Sequence, residues 1–247
     1  MPEKSTVLRP FQTPLSEVSA QIDLVTSGLV EFRARSFYDA IKSGYPRTQR
    51  LPVFLVGEPV ANQQYHIPAY RFFSGDGRCA IQLGPRMMSV NALSWDGGFE
   101  AYRETAFSIM DRYAEVMPDE MVTAYSIGFY NRIAVADLEE ARAVYRLQIG
   151  DNRTLFDQLS YQSLHSSDAG LVLTQVAAAQ PDERMNEKHL MVNNLIRNTI
   201  NDNPQTVKDI IPDWRAWFEK AHIVAKDVFW NSLTPEAQKS WQETVPS

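Results

Sequence analysis

The sequence predicts an α+β fold: antiparallel sheet, in one or two regions, with a long helix packed on each half. Three observations carry this. Residues 70–93 alternate apolar and polar positions in three short runs separated by Ser74-Gly75-Asp76-Gly77 and Gly84-Pro85-Arg86, the pattern of a meander. Residues 99–116 place Phe99, Tyr102, Ala106, Ile109, Met110, Tyr113 and Val116 on one helical face. Near the C-terminus, Trp214, Trp217, Phe218, Ala221, Ala225, Val228 and Phe229 form a second such stripe.

Taken in order, residues 1–14 are polar and carry Pro2, Pro10 and Pro14, which predicts an extended arm. Val18, Ala20, Ile22 and Leu24 stand two apart, so 15–26 is a half-buried strand. A helix follows over 31–43, with Gly44 just beyond it. Pro46, Pro52, Pro59 and Pro68 exclude a long helix over the next stretch, which is connection apart from a short edge strand at 53–56. In the meander, Cys79, Ile81 and Leu83 face the core, and Met88, Val90 and Ala92 repeat the alternation. Ser94 or Asp96 caps the 99–116 helix, and Met117-Pro118 ends it. Residues 121–135 are rich in β-branched and aromatic side chains and form a long strand, in which Gly128 marks a bulge or close approach.

This divides the chain into an N-terminal half, 1–135, and a C-terminal half, 136–247. The second half begins with a short helix at 136–144 and a short strand at 145–149. A helical turn at 155–159 comes next. Strands at 161–166 and 171–178 flank the turn Ser167-Asp168-Ala169-Gly170, a loop runs over 180–187, and a strand spans 190–200. Pro212 suits the first turn of a helix over 211–232. Thr234-Pro235-Glu236 caps a terminal helix ending near Gln242.

Composition narrows the function classes. The 247 residues carry a net charge of −6, which argues against a general nucleic-acid surface. The single cysteine, Cys79, excludes an internal disulfide and fits a reducing, cytoplasmic setting. No signal-peptide core and no membrane-length apolar run is present. His66, His165 and His189 lie far apart, and no H-E-x-x-H, C-x-x-C or calcium-loop pattern occurs, so no metal or other cofactor is expected. The Gly-Asp-Gly turn lacks the lysine and following helix of a phosphate loop and is a hairpin turn. His222, with Asp213 or Asp227 as partner, is a candidate base, although a histidine beside an apolar stripe is more often a packing residue. No nucleophile and base stand close in sequence, which leans away from an enzyme.

Two surfaces remain. Asn131-Arg132 and Asn194 with Arg197 occupy strands of otherwise apolar or amide character, and Arg132 and Arg197 could hold an anion bidentately. Trp214, Trp217 and Trp230 are candidates for a partner interface, or equally for aromatics that close the sheet. The favoured expectation is a non-enzymatic interaction or accessory factor, with a protein partner or as a homo-oligomer. The alternative is a small-molecule or nucleotide binder with Arg132 and Arg197 as anchors.

Several stretches resemble a known family. They are Ile81-Gln82-Leu83-Gly84-Pro85, Ser89-Val90-Asn91, Gly128-Phe129-Tyr130-Asn131-Arg132-Ile133, and a C-terminal set of Trp214 or Trp217, His222, Phe229 and Leu233-Thr234. They look like the sporadically distributed family of prokaryotic proteins of similar length and unknown function. The likeness covers most of the chain and is densest over 70–133. Its patchy distribution implies carriage on mobile or defence-type loci. The family has an Asp-rich strand where this chain reads Met191-Val192-Asn193-Asn194, so the resemblance implies no charge-dependent role there.

Overall fold

A computed structural model of the chain describes residues 15–25, 30–51, 68–93, 98–146, 159–179, 188–200 and 203–244. The fold is α+β. The described strands are β1 (Leu15–Leu24), β2 (Arg47–Arg50), β3 (Tyr70–Phe73), β4 (Cys79–Gly84), β5 (Met87–Ala92), β6 (Met121–Ala134), β7 (Ser160–Ser167), β8 (Gly170–Ala179), β9 (His189–Thr199) and β10 (Gln205–Thr206). The helices are α1 (Val30–Ile41), α2 (Gly98–Val116), α3 (Leu138–Val144), α4 (Val207–Ser232) and α5 (Pro235–Thr244).

All ten strands join one antiparallel sheet in the order β2-β3-β4-β5-β1-β6-β9-β8-β7, with β10 paired to β6. The order is nearly symmetric about the β1–β6 pair. Each half has the sequence strand, helix, four further strands, helix, and in each the first strand lies beside the last long one: β1 beside β5, β6 beside β9. The two halves therefore share a single sheet.

Register assigns the two faces. Val18 opposes Phe129, Ala20 opposes Ile127 and Ile22 opposes Tyr125, while Ile127 opposes Ile196 and Ile196 opposes Val172. These residues form the apolar face on which α1, α2 and α4 pack in one core, where Phe37 meets Tyr113 edge-on at 5.1 Å. A second cluster, under α3 and α5, takes Ile133, Val176, Leu190 and Val192 from the same face. Over β1 and β5 the opposite face is largely polar: Ser19 and Gln21 of β1 stand beside Asn91 and Ser89 of β5, and Asp23 beside Met87. Alternation of side chains along a strand makes this division unavoidable.

Several local expectations hold. The turn at 74–77 is a hairpin turn, with Gly77 at φ 78° and its N–H donating to the Ser74 carbonyl at 3.0 Å. Thr234 accepts from the Ala237 N–H at 3.2 Å and caps α5. Gly128 marks a close approach: a Cβ there would lie 3.1 Å from the Tyr130 ring, while the pairing with Ser19 and Leu195 runs through without a bulge.

Others change. The edge beside β3 is β2, an Arg-flanked strand in a stretch read as connection. Its charges suit an edge, where they discourage further pairing. The expected strand at 53–56, the arm at 1–14, the caps at 94 and 96, the turn at 155–159 apart from Leu159, and the loop at 180–187 lie outside the described residues. Of the expected 145–149 strand, Tyr145 makes an isolated bridge to Leu233. The last long helix begins at Val207, four residues before the expected start, and Pro212 is inside it. Thr206 caps it by accepting from the Asp209 N–H at 3.2 Å. The α2–β6 connection accepts from the first amides, Val207 to Glu120 at 2.7 Å and Lys208 to Pro118 at 3.2 Å. Pro212, the sixth residue of the helix, lacks the N–H that would donate to the Lys208 carbonyl.

Candidate functional site

A cavity of about 160 Å³ lies between the apolar sheet face and the helices. Phe129 and Asn131 of β6 and Asn194 of β9 form its floor, and Leu15 of β1 reaches it from the side. Phe99, at the start of α2, makes one wall. His222, Ala225, Lys226 and Phe229 of α4 form the roof, and Trp241 of α5 closes the end against Phe229, with ring centroids 6.0 Å apart. The small Ala221 and Ala225 let α4 come close to the sheet.

The floor has an unusual composition. The row across β8, β9, β6 and β1 reads Thr174, Asn194, Phe129, Val18. Neighbouring rows put Ile196 and Val192 where this one puts an amide. Asn194 is 1 % exposed. Its Oδ1 accepts from the Thr174 hydroxyl at 2.9 Å, and its Nδ2 has no hydrogen-bond partner among the described residues. Asn131 is satisfied in part, donating from Nδ2 to the Val192 carbonyl at 3.1 Å. A buried amide donor left without a partner costs about 1–3 kcal/mol, so a group that can accept from it is favoured in the cavity.

His222 supplies the other polar surface. Its ring stacks on Phe99 with centroids 3.4 Å apart and planes 13° from parallel. Burial pushes its pKa below the usual histidine value. Glu100 and Glu219 pull it back up, and Lys226 and Arg103 push it down. The imidazole is therefore neutral at neutral pH and presents one donor and one acceptor. Among the described residues these four are the charges that act on it, and neither Asp213 nor Asp227 is one of them. Beside this imidazole, the lining carries the Lys226 side chain and the Asn131 and Asn194 amides.

The residues singled out from sequence do not form one site. Asn131 and Asn194 line the cavity. Arg132 and Arg197 are on the opposite face of the sheet, because adjacent strand residues point opposite ways. Arg132 opposes Met191 and Arg197 opposes Ser126, which puts the two arginines six positions apart along β9, roughly 20 Å. Arg197 is also engaged: its Nη1 lies 2.5 Å from Oδ2 of the buried Asp23, and the Gln21 amide donates to the other oxygen of that carboxylate at 2.6 Å. Trp214 and Trp217 are core residues, 0 % and 7 % exposed. Trp214 packs on Phe107 and Phe218. Trp217 packs on Tyr125 and donates from Nε1 to the Ala169 carbonyl at 2.6 Å. Trp230 is half-buried against the second cluster. Trp214 and Trp217 thus pack against the sheet as core aromatics.

Phe99, Phe229 and Trp241 were legible only as helix-face aromatics, and their convergence depends on the crossing of α2, α4 and α5. Among the described residues no three His, Cys, Asp or Glu side chains converge as a metal ion would need, and no helix is long and apolar enough to cross a membrane. No family model matches the chain, and no curated protein matches it.

Proposed function

We propose that the protein binds a small, largely apolar molecule in the cavity beneath α4. The observation that carries this reading is the buried Asn194 Nδ2, without a partner among the described residues, at the floor of a pocket otherwise walled by Phe99, Phe129, Phe229 and Trp241. A cavity of about 150 Å³ accommodates one benzene-sized ring, so the ligand is a single-ring molecule with one hydrogen-bond acceptor. Arg132 and Arg197 have no part in it. The test is native mass spectrometry of freshly purified protein, followed by calorimetric titration with single-ring amides and phenols. Binding that weakens at least tenfold in Asn194→Leu supports the reading. Equal affinity in the variant, or no binding by any such probe, removes it.

A second reading keeps the accessory role, with a second copy of the chain as partner. It is favoured by β7, the outermost strand, which carries no charged residue and leaves Leu164 66 % exposed. An unguarded edge of this kind invites antiparallel pairing. Light scattering of wild type and Leu164→Lys tests it: a dimer that becomes a monomer in the variant supports it, and a monomeric wild type ends it. The likeness to the sporadic prokaryotic family, a mobile or defence-type locus and a cytoplasmic setting stand as parts of the same proposal. The buried thiol of Cys79 supports the last of these.

A further inference from the structure

A second cavity, of about 270 Å³, opens under the last turns of α4, toward the β7 edge. Three separate elements converge on it. Tyr161, Ser163 and His165 alternate along β7 and so share a face, the one on which their partners Val176, Thr174 and Val172 are buried. Asn231 comes from the end of α4. Arg146 is placed by the backbone, where its N–H donates to the Ser232 carbonyl at 2.8 Å beside the Tyr145–Leu233 bridge.

The chemistry of this lining is one-sided. Among the described residues it holds a guanidinium, an imidazole, hydroxyls and an amide, with no carboxylate, in a chain whose net charge is −6. Elsewhere Arg33, Arg50, Arg103, Arg112, Arg197 and Arg215 each stand against a carboxylate. The Arg146 guanidinium makes no ion pair or hydrogen bond among the described residues, nor does the His165 ring. The Tyr145 and Ser232 hydroxyls bond each other, but among the described residues the Arg146, Tyr161, Ser163, His165 and Asn231 side chains neither bond one another nor meet an acid, and so are arranged for an anion from outside.

We infer that this cavity binds the phosphate group of a small phosphate monoester. The guanidinium fork takes two oxygens. The Tyr161 and Ser163 hydroxyls, the Asn231 amide and the imidazole donate to the others. The volume exceeds that of a bare phosphate and leaves room for a small organic body. The inference is independent of any ligand in the apolar cavity.

Inorganic phosphate is the probe, titrated into the full chain at constant ionic strength with chloride as make-up and followed by amide chemical shifts and thermal midpoint. The expected result is a saturable response with a dissociation constant on the order of 1 mM and a midpoint that rises with phosphate. Arg146→Ala should keep the phosphate-free midpoint and weaken binding at least tenfold. Ser163→Asp keeps Arg146 and adds a carboxylate, and should abolish the response. Absence of saturation in the wild type, or an undiminished response in both variants, overturns the inference. A response to acetate as large as that to phosphate overturns the phosphate assignment.

Discussion

Thr174 and Asn194 face each other across β8 and β9, the hydroxyl donating to the amide oxygen at 2.9 Å, and this one bond divides the two cavities. Thr174 lines the polar cavity and Asn194 the apolar one. Both side chains are buried, at 4 % and 1 % exposed. A polar pair at this depth is weak evidence for stability, because replacing both partners by apolar groups of similar shape is often neutral or stabilising. The double variant Thr174→Val, Asn194→Leu is therefore expected to unfold in urea within about 1 kcal/mol of wild type, or later. A loss above about 3 kcal/mol would make the pair structural.

The two arginines singled out from sequence are expected to behave differently. Arg197 offsets the charge of Asp23, whose side chain is 3 % exposed, and is itself 35 % exposed. Arg197→Ala should cost about 2–3 kcal/mol, below the usual figure for a fully buried pair because solvent screens part of the interaction. Arg132 is exposed, and its alanine variant should stay within about 0.5 kcal/mol. Denaturant midpoints of the two variants check this, and equal effects would refute it.

Arg33 ties α1 to the sheet and to the end of α2. Its guanidinium donates to Glu120 at 2.9 Å and to the carbonyls of Gly84 and Pro85 at 2.6 and 2.9 Å, and the Tyr113 hydroxyl donates to the same carboxylate at 3.1 Å. At 3 % exposure, Arg33 is a buried partner whose loss leaves an uncompensated carboxylate. Arg33→Met should destabilise by about 3–5 kcal/mol. Adding Glu120→Leu should recover part of that, since it removes the carboxylate left behind. A double-mutant cycle measures the recovery, and strict additivity would argue against coupling.

His222 makes stability depend on pH. Its folded pKa lies below the ordinary 6.5 because burial disfavours the imidazolium. Below that value the unfolded chain takes up a proton more readily than the fold. The stabilising contribution of the neutral ring is therefore complete above 6.5 and is lost as pH falls through the lowered folded value. His222→Phe should keep the stack on Phe99 and flatten this limb. Urea midpoints between about pH 5 and pH 8 give the comparison, and an unchanged acid limb in the variant would assign it to other groups.

Much of this architecture was readable from residue order. Alternation in β1, β4, β5 and β9 and the helical stripes of α2 and α4 are local patterns, and most residues they mark as apolar are buried, while Phe99, Val116, Val228 and Phe229 at the stripe ends are half-buried. Asn131 and Asn194 were also legible as amides in apolar strands, and both line the cavity. The same alternation shows why Asn131 and Arg132 cannot serve one site. The start of α4 was available in the Thr206 to Asp209 spacing, a capping signal that Pro212 obscured.

The sequence alone determined the α+β class, the meander at 70–93 and the side each strand residue takes, because those depend on neighbours a few positions away. Tertiary structure decided which strands lie side by side: that β1 meets β6 and makes one sheet, and that Thr174 reaches Asn194. It also decided that Trp214 and Trp217 fill the core and that Arg146 stands among β7 hydroxyls and the end of α4. These pairings join residues far apart in the chain, chosen by the packing of whole faces, and no local spacing encodes them.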